Sequence, residues 1–335
     1  MALYSKIRAK LAREFKGLKR DMSYFLGLDK SFYQNARGSR ILIYHGICKE
    51  DHTRFNPIFL TAKIFEAHLK LYEKHCNVVS LDDFYAGKLS DEKFNVCLTF
   101  DDGFANNYKY ALPLLEKYRM PATFFITGIA NEGDDILWND FLGIVSKYGP
   151  KNITYKNKAY YKGRFDQYFS VDNGTALKDE LRAAGFEDKA GMMKDLYWIS
   201  PFKNKEADKD FWLQMTSEQI KQLARSPFAQ IGAHGYYHND LAKITPCDAL
   251  YELQKVKQYL EDLIGKPVNR IAFPYGSYDQ QVIHQAQKAG YDQLLAMDFY
   301  NANDASDKTL RERFTVNPFI SPVNQLYATI TRKYD

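Results

Sequence analysis

For most of its length the chain alternates short apolar runs with amphipathic stretches. Residues 40–44, 77–81, 96–100, 122–128, 229–233, 270–273, 293–297 and 313–316 are runs rich in Val, Ile, Leu and Phe, bounded by polar or turn residues, and read as strands. The segments between them carry helical spacing. From Thr61, an N-cap residue, to Lys74, Phe65, Leu69 and Tyr72 share one face. Residues 82–85 form a short helical turn, and further helices are expected through 112–115, over about 246–264 and 279–289, and at the end through Gln325, Leu326, Tyr327 and Ile330. Repeated strand–helix units predict a parallel sheet, either open or closed into a barrel.

The rhythm breaks twice. Residues 2–28 place Leu3, Ile7, Leu11, Phe15, Leu18, Met22, Phe25 and Leu28 at steps of three and four, giving one apolar stripe opposite a basic face. This N-terminal amphipathic helix (1–30) has two readings: it packs on the sheet, or it lies in an anionic membrane interface. The second break runs over about 131–225. A helical segment starting at 136–138 is followed by a Lys- and Tyr-rich hairpin candidate (156–161) and polar helices up to Trp212. It reads as an insertion covering one rim of the main unit (38–335), although its length suffices for a small subdomain.

Composition narrows the functional classes. With 45% hydrophobic and 26% charged residues, the 335-residue chain can bury a large core. The net charge of +5 is concentrated at the N-terminus, where Lys6, Arg8, Lys10, Arg13, Lys16, Lys19 and Arg20 face only Glu14. A nucleic-acid partner calls for a broader basic surface or a known binding module, and neither is present. The four cysteines are scattered, Cys97 falls in a predicted buried strand, and residues 1–20 lack the apolar core of a secretory signal. These features predict a cytoplasmic protein, with membrane contact at the inner face if the helix lies in an interface.

Chemistry concentrates where strands end. Thr99-Phe100-Asp101-Asp102-Gly103 stops an apolar run at two carboxylates. Gly232-Ala233-His234-Gly235-Tyr236-Tyr237-His238 ends another at two histidines four apart, and Phe273-Pro274-Tyr275-Gly276 ends a third in a turn. In parallel α/β folds such loops meet at one rim. One carboxylate with two imidazoles makes a three-ligand set suited to zinc with an open position, and the second carboxylate is left free as a base. Neighbouring residues on a strand point to opposite sides, so the two acids are expected to take different roles.

The order TFDDG, HxxxH, PYG resembles the polysaccharide deacetylase family, the NodB-homology carbohydrate esterases, over roughly residues 40–130 and 215–320. The resemblance implies a distorted (β/α) barrel of about seven strands and metal-dependent removal of an acyl group, usually N-acetyl, from a sugar. Carried onto this chain it makes Asp101 the base. Asp102, His234 and His238 become ligands of a divalent metal, zinc first among them, and the Tyr275 backbone N–H becomes an oxyanion donor. The expected substrate is an N-acetylated amino sugar of a cell-envelope polysaccharide or its lipid-linked precursor. A lipid-linked amino-sugar deformylase and a weakly catalytic carbohydrate-binding scaffold are the alternatives.

Two departures stand out. Many family members carry an Arg two residues before the Pro, orienting the catalytic Asp, where this chain has Ala272. A Leu-x-His motif whose His serves as general acid is missing, since no histidine follows His284. His284 is expected on a helix facing away from the rim, and His45, closing the first strand, is the candidate replacement.

Overall fold

The computed structural model describes residues 2–199 and 206–334. Its main element is a sheet that, among the described residues, holds nine parallel strands: β1 (Ser39–Tyr44), β2 (Cys76–Val79), β3 (Phe94–Phe100), β4 (Ala122–Ile126), β5 (Ala229–Ala233), β6 (Arg270–Ala272), β7 (Gln293–Leu295), β8 (Leu310–Arg311) and β9 (Phe314–Thr315). The order is β8-β7-β6-β5-β4-β3-β1-β9, with β2 added on β3. One edge of β3 pairs with β1; the other pairs first with β2, from Phe94 to Cys97, and then with β4, from Leu98 to Phe100. The sheet is a distorted barrel with a seam. Its edge strands β8 and β9 are separated in sequence only by Glu312 and Arg313, so the chain steps across the seam within two residues.

The number of strands exceeds the seven or so expected. Leu310–Arg311 is too short to leave a hydrophobic pattern, and its place comes from pairing Leu310 and Arg311 with Leu294 and Leu295.

All seven residues of β3 are buried, because both faces of a parallel sheet are covered. On one face Leu42, Leu98, Phe100 and Phe124 join the core with Phe65, Leu69 and Tyr72 of helix α2 (Ala62–His75). On the other, Ile41, Cys97, Phe125, Ala272 and Leu295 fill the barrel interior. Local signals set the helix ends. Thr61 Oγ1 accepts from the Ile64 N–H at 3.2 Å to start α2. Thr245 caps α6 (Pro246–Ile264), which stops at Gly265 with φ +65°. Helix α3 (Leu112–Tyr118) packs against α2, and α1 (Ala2–Phe25) packs against α8 (Pro322–Thr331).

Between β4 and β5 the chain builds a separate layer. It contains α4 (Trp138–Tyr148), an antiparallel three-stranded sheet (Asn152–Tyr155, Lys158–Lys162, Tyr168–Ser170) and α5 (Phe186–Leu196). Left-handed φ values at Lys156 and Asn157 close its two-residue hairpin. Trp138, Phe141, Val145, Tyr160, Met192 and Trp212 form a core of their own, with Tyr275 of the main unit packed against it. The helical run expected up to Trp212 passes through residues 200–205, which lie outside the described residues.

The loops that follow β4 and β5 meet closely at Gly128, where a Cβ would sit 2.2 Å from the Tyr236 ring. Gly128→Ala is therefore expected to destabilise the fold by about 1–3 kcal/mol, read as a lowered midpoint in urea unfolding.

Candidate metal centre

Asp101 continues the sheet ladder past β3, its N–H donating to Tyr44 O at 3.0 Å. The chain then turns through left-handed conformations at Asp102 (φ +75°) and Gly103 (φ +74°). The strand has already ended at Phe100, so strand alternation is not what separates the two acids. A left-handed residue, uncommon outside glycine, does so. His234 likewise extends β5, donating its N–H to Ile126 O at 2.9 Å. The loop beyond it wraps a single carboxylate: Tyr236 and Tyr237 donate their N–H groups to Glu252 Oε2 at 3.1 and 3.2 Å. Asn239 also donates to Glu252 and accepts from Lys189, a buried lysine of α5 whose ammonium is pushed down to about 8 by burial. His238 is left-handed too (φ +54°), and its carbonyl accepts from Trp138 Nε1 at 3.2 Å. The inserted layer thus holds one side of the histidine loop.

These turns bring three side chains to one point. Asp102 Oδ1 lies 3.3 Å from His234 Nε2 and 3.2 Å from His238 Nε2, and all three residues are buried. Their ligand atoms fall within 4.8 Å of one another. His234 Nδ1 is 2.8 Å from Ala272 O, which places the ring proton there and leaves Nε2 for the site. Two imidazole nitrogens and one carboxylate oxygen, buried and convergent, fit a divalent cation with three protein ligands. Burial pushes the Asp102 carboxyl up, but the adjacent His234 and His238 imidazoles hold it well below the usual carboxylate range. Burial lowers His238, whereas at His234 the neighbouring Asp101 and Asp102 outweigh burial and raise it.

Asp101 has a different partner. Arg313 reaches in from the seam and grips both oxygens, Nη1 to Oδ1 at 2.7 Å and Nη2 to Oδ2 at 2.8 Å. The same guanidinium donates to Thr99 Oγ1 at 3.2 Å and to Ala296 O at 3.3 Å. Burial would raise the Asp101 carboxyl; Arg313 and His234 reverse that and keep it below its ordinary value. No Arg stands at position 272, and the guanidinium that grips Asp101 comes instead from the seam between β8 and β9. Sequence reasoning did not single out Arg313. Its only signal was a cation at the start of the last predicted strand.

Tyr275 adopts φ +61° within its turn, its ring 4.7 Å from that of His238 and under the Arg182 guanidinium at 4.5 Å. Asp101, Asp102, His234, His238 and Tyr275 all line one cleft of about 770 Å³. His45 lines it too, held below its ordinary pKa by burial despite Asp102 and Asp101 nearby. His284 is exposed on α7 (Gln280–Lys288), outside that lining.

A family model described as polysaccharide deacetylase matches residues 88–150 and 200–294. The protein described as "Putative polysaccharide deacetylase YxkH" from Bacillus subtilis (strain 168) is 22% identical over 255 residues, 75% of this chain. The match covers 61% of that relative, so this chain spans less than two thirds of its length. Among solved structures, the Streptococcus pyogenes deacetylase PplD in complex with acetate superposes with a TM-score of 0.57 at 18% identity, over 88% of this chain and 99% of that one. IcaB from Ammonifex degensii gives 0.52 at 16% identity, over 88% and 98%. At these identities the likeness to solved structures is one of fold.

Purified protein is expected to bind one divalent ion per chain, and His234→Ala or His238→Ala to abolish it, as read by elemental analysis after dialysis against the metal. Arg313→Met should cost about 3–5 kcal/mol, because it strands a buried carboxylate. Adding Asp101→Asn to that variant should recover part of the loss in a double-mutant unfolding cycle.

Proposed function

We propose that this chain, which matches the polysaccharide deacetylase family model over residues 88–150 and 200–294, acts as a member of that family and removes the N-acetyl group of an amino sugar by metal-dependent hydrolysis. The observation that carries this reading is the convergence of Asp102, His234 and His238 beside an Asp101 held at both oxygens by Arg313. A divalent ion in that triad, zinc by the character of its ligands, would polarise the acyl oxygen and acidify a water. Asp101, kept ionised by Arg313, accepts the proton of the attacking water. The Tyr275 backbone N–H donates to the oxygen that gains charge as the acyl carbon becomes tetrahedral. The proton taken by Asp101 then passes to the leaving amine through His45, on the rim beside it, in place of the missing Leu-x-His histidine.

The cleft walls support a carbohydrate substrate. Phe165, 91% exposed, and Phe55 line the cleft as apolar platforms for sugar faces. Lys147 and Lys178 line it as well, with Arg54 and Arg182, which pair with Asp208 and Asp240, and with Asp140 and Asp166. Cations there suit a sugar bearing an acidic group such as a phosphate, as in a lipid-linked cell-envelope precursor at the inner face of the membrane.

The test is acetate release from N-acetylated amino-sugar glycans and their lipid-linked precursors by the metal-loaded protein. Asp101→Asn is expected to lower the rate by about 10²–10⁴-fold with metal binding retained, and His45→Gln to lower it less. Release of formate from an N-formylated sugar, with no acetate from its acetylated counterpart, would replace this reading by a deformylase. Metal-loaded protein that turns over neither would leave a sugar-binding scaffold.

A further inference from the structure

Helix α1 meets the rest of the protein with its polar side. Asn324 Nδ2 donates to Gly17 O at 3.1 Å and to Asp21 Oδ1 at 2.9 Å, and Arg20 Nη1 donates to Asn324 Oδ1 at 2.6 Å. The Arg20 guanidinium also lies 3.6 Å from the Tyr327 ring centroid, and Tyr24 Oη lies 2.8 Å from His75 Nε2. A surface helix of a soluble domain ordinarily buries its apolar stripe and shows water its polar one. Here the order is inverted. Leu11, Phe15, Leu18, Met22 and Phe25, spaced four, three, four and three apart, are between 58% and 78% exposed and form one continuous outward stripe. Leu26 and Leu28 extend it past the helix end.

Charge and size identify what covers this face. Helical geometry puts Arg8 and Lys19 along one edge of the stripe; Glu14 and Asp21 border the other, Lys10 lies beyond them 3.8 Å from Glu14, and Lys16 is behind. Over residues 8–20 the helix carries Arg8, Lys10, Arg13, Lys16, Lys19 and Arg20 against Glu14 alone, a net positive charge that repels a second copy of the helix and attracts an anionic surface. Flanking cations with apolar stems suit the headgroup region of an anionic bilayer, where they snorkel while Leu and Phe enter the acyl boundary. Among the described residues no helix is long and apolar enough to cross a membrane, so α1 would lie in the plane of the surface.

We propose that α1 is an in-plane membrane anchor, its outward stripe from Leu11 to Phe25 seated in an anionic phospholipid interface while its polar side stays bonded to the domain. The anchor is independent of the proposed reaction, because binding is read without turnover.

The experiment is co-flotation of the full chain with vesicles of phosphatidylethanolamine and phosphatidylglycerol, beside vesicles of phosphatidylcholine alone. Wild type is expected to float with the anionic vesicles at low salt and to be released at high salt. Phe15→Glu combined with Leu18→Glu should remain at the bottom of the gradient with an unchanged melting temperature, since both side chains face solvent. Lys19→Gln should weaken binding about fivefold, and Lys16→Gln, behind the stripe, by less. Wild type that ignores anionic vesicles at low salt, or a Phe15/Leu18 variant that floats as well as wild type, would overturn the proposal. A dimer by sedimentation velocity that the same double variant dissociates, with no vesicle binding, would assign the face to a second copy instead.

Discussion

The buried ion pair between Asp101 and Arg313 is the constraint around which the barrel is arranged. Taking a carboxylate and a guanidinium out of water costs several kcal/mol each, and the cost is offset only by close geometry with the remaining donors satisfied. Both conditions hold: the pair is bidentate, and the guanidinium also reaches Thr99 and Ala296. Because Arg313 sits between the two edge strands, the contact that orients Asp101 also spans the seam of the sheet. The orientation of Asp101 and the closure of the barrel are thus one interaction. Planar recognition of both carboxylate oxygens is something a lysine at that position could not reproduce.

A second constraint is backbone conformation. Asp102, His238 and Tyr275 each occupy the left-handed region, which costs of order 1–3 kcal/mol for such residues unless the surroundings over-determine it. Around His238 they do. Glu252 gathers two backbone N–H groups and Asn239, Lys189 bonds Asn239 from the inserted layer, and Trp138 holds the His238 carbonyl. The layer between β4 and β5 is therefore mechanical support for the histidine loop as well as a wall of the cleft.

This division explains what the sequence made legible. Strands such as 96–100, and the helix over 246–264 with its Thr245 cap and Gly265 stop, carry their signals locally, so their positions could be read directly. Asp102, His234 and His238 stood out because strand ends of a parallel sheet converge wherever the chain crosses over. Arg313 did not, because its role depends on an Ala at position 272 and on a partner 212 residues away. No local pattern encodes that exchange. The adjacency of the two acids was also read with a strand rule that ceases to apply once β3 ends, where the φ of Asp102 decides instead.

The same reasoning bears on the N-terminal helix. Its periodicity established one apolar stripe and one basic face, but periodicity is symmetric with respect to which face the protein uses. Tertiary contacts break the symmetry. Asn324 engages Gly17, Arg20 and Asp21, and Tyr24 meets His75, so the polar side is the inner one. A helix rotated by half a turn would bury Phe15 and Leu18 and leave a basic surface in water, an ordinary arrangement for a soluble domain. The observed rotation gives up that apolar burial in favour of specific polar contacts to α8. Such a rotation has a physical rationale only if the apolar stripe is covered in another setting, and the row of cations beside it selects a negatively charged one.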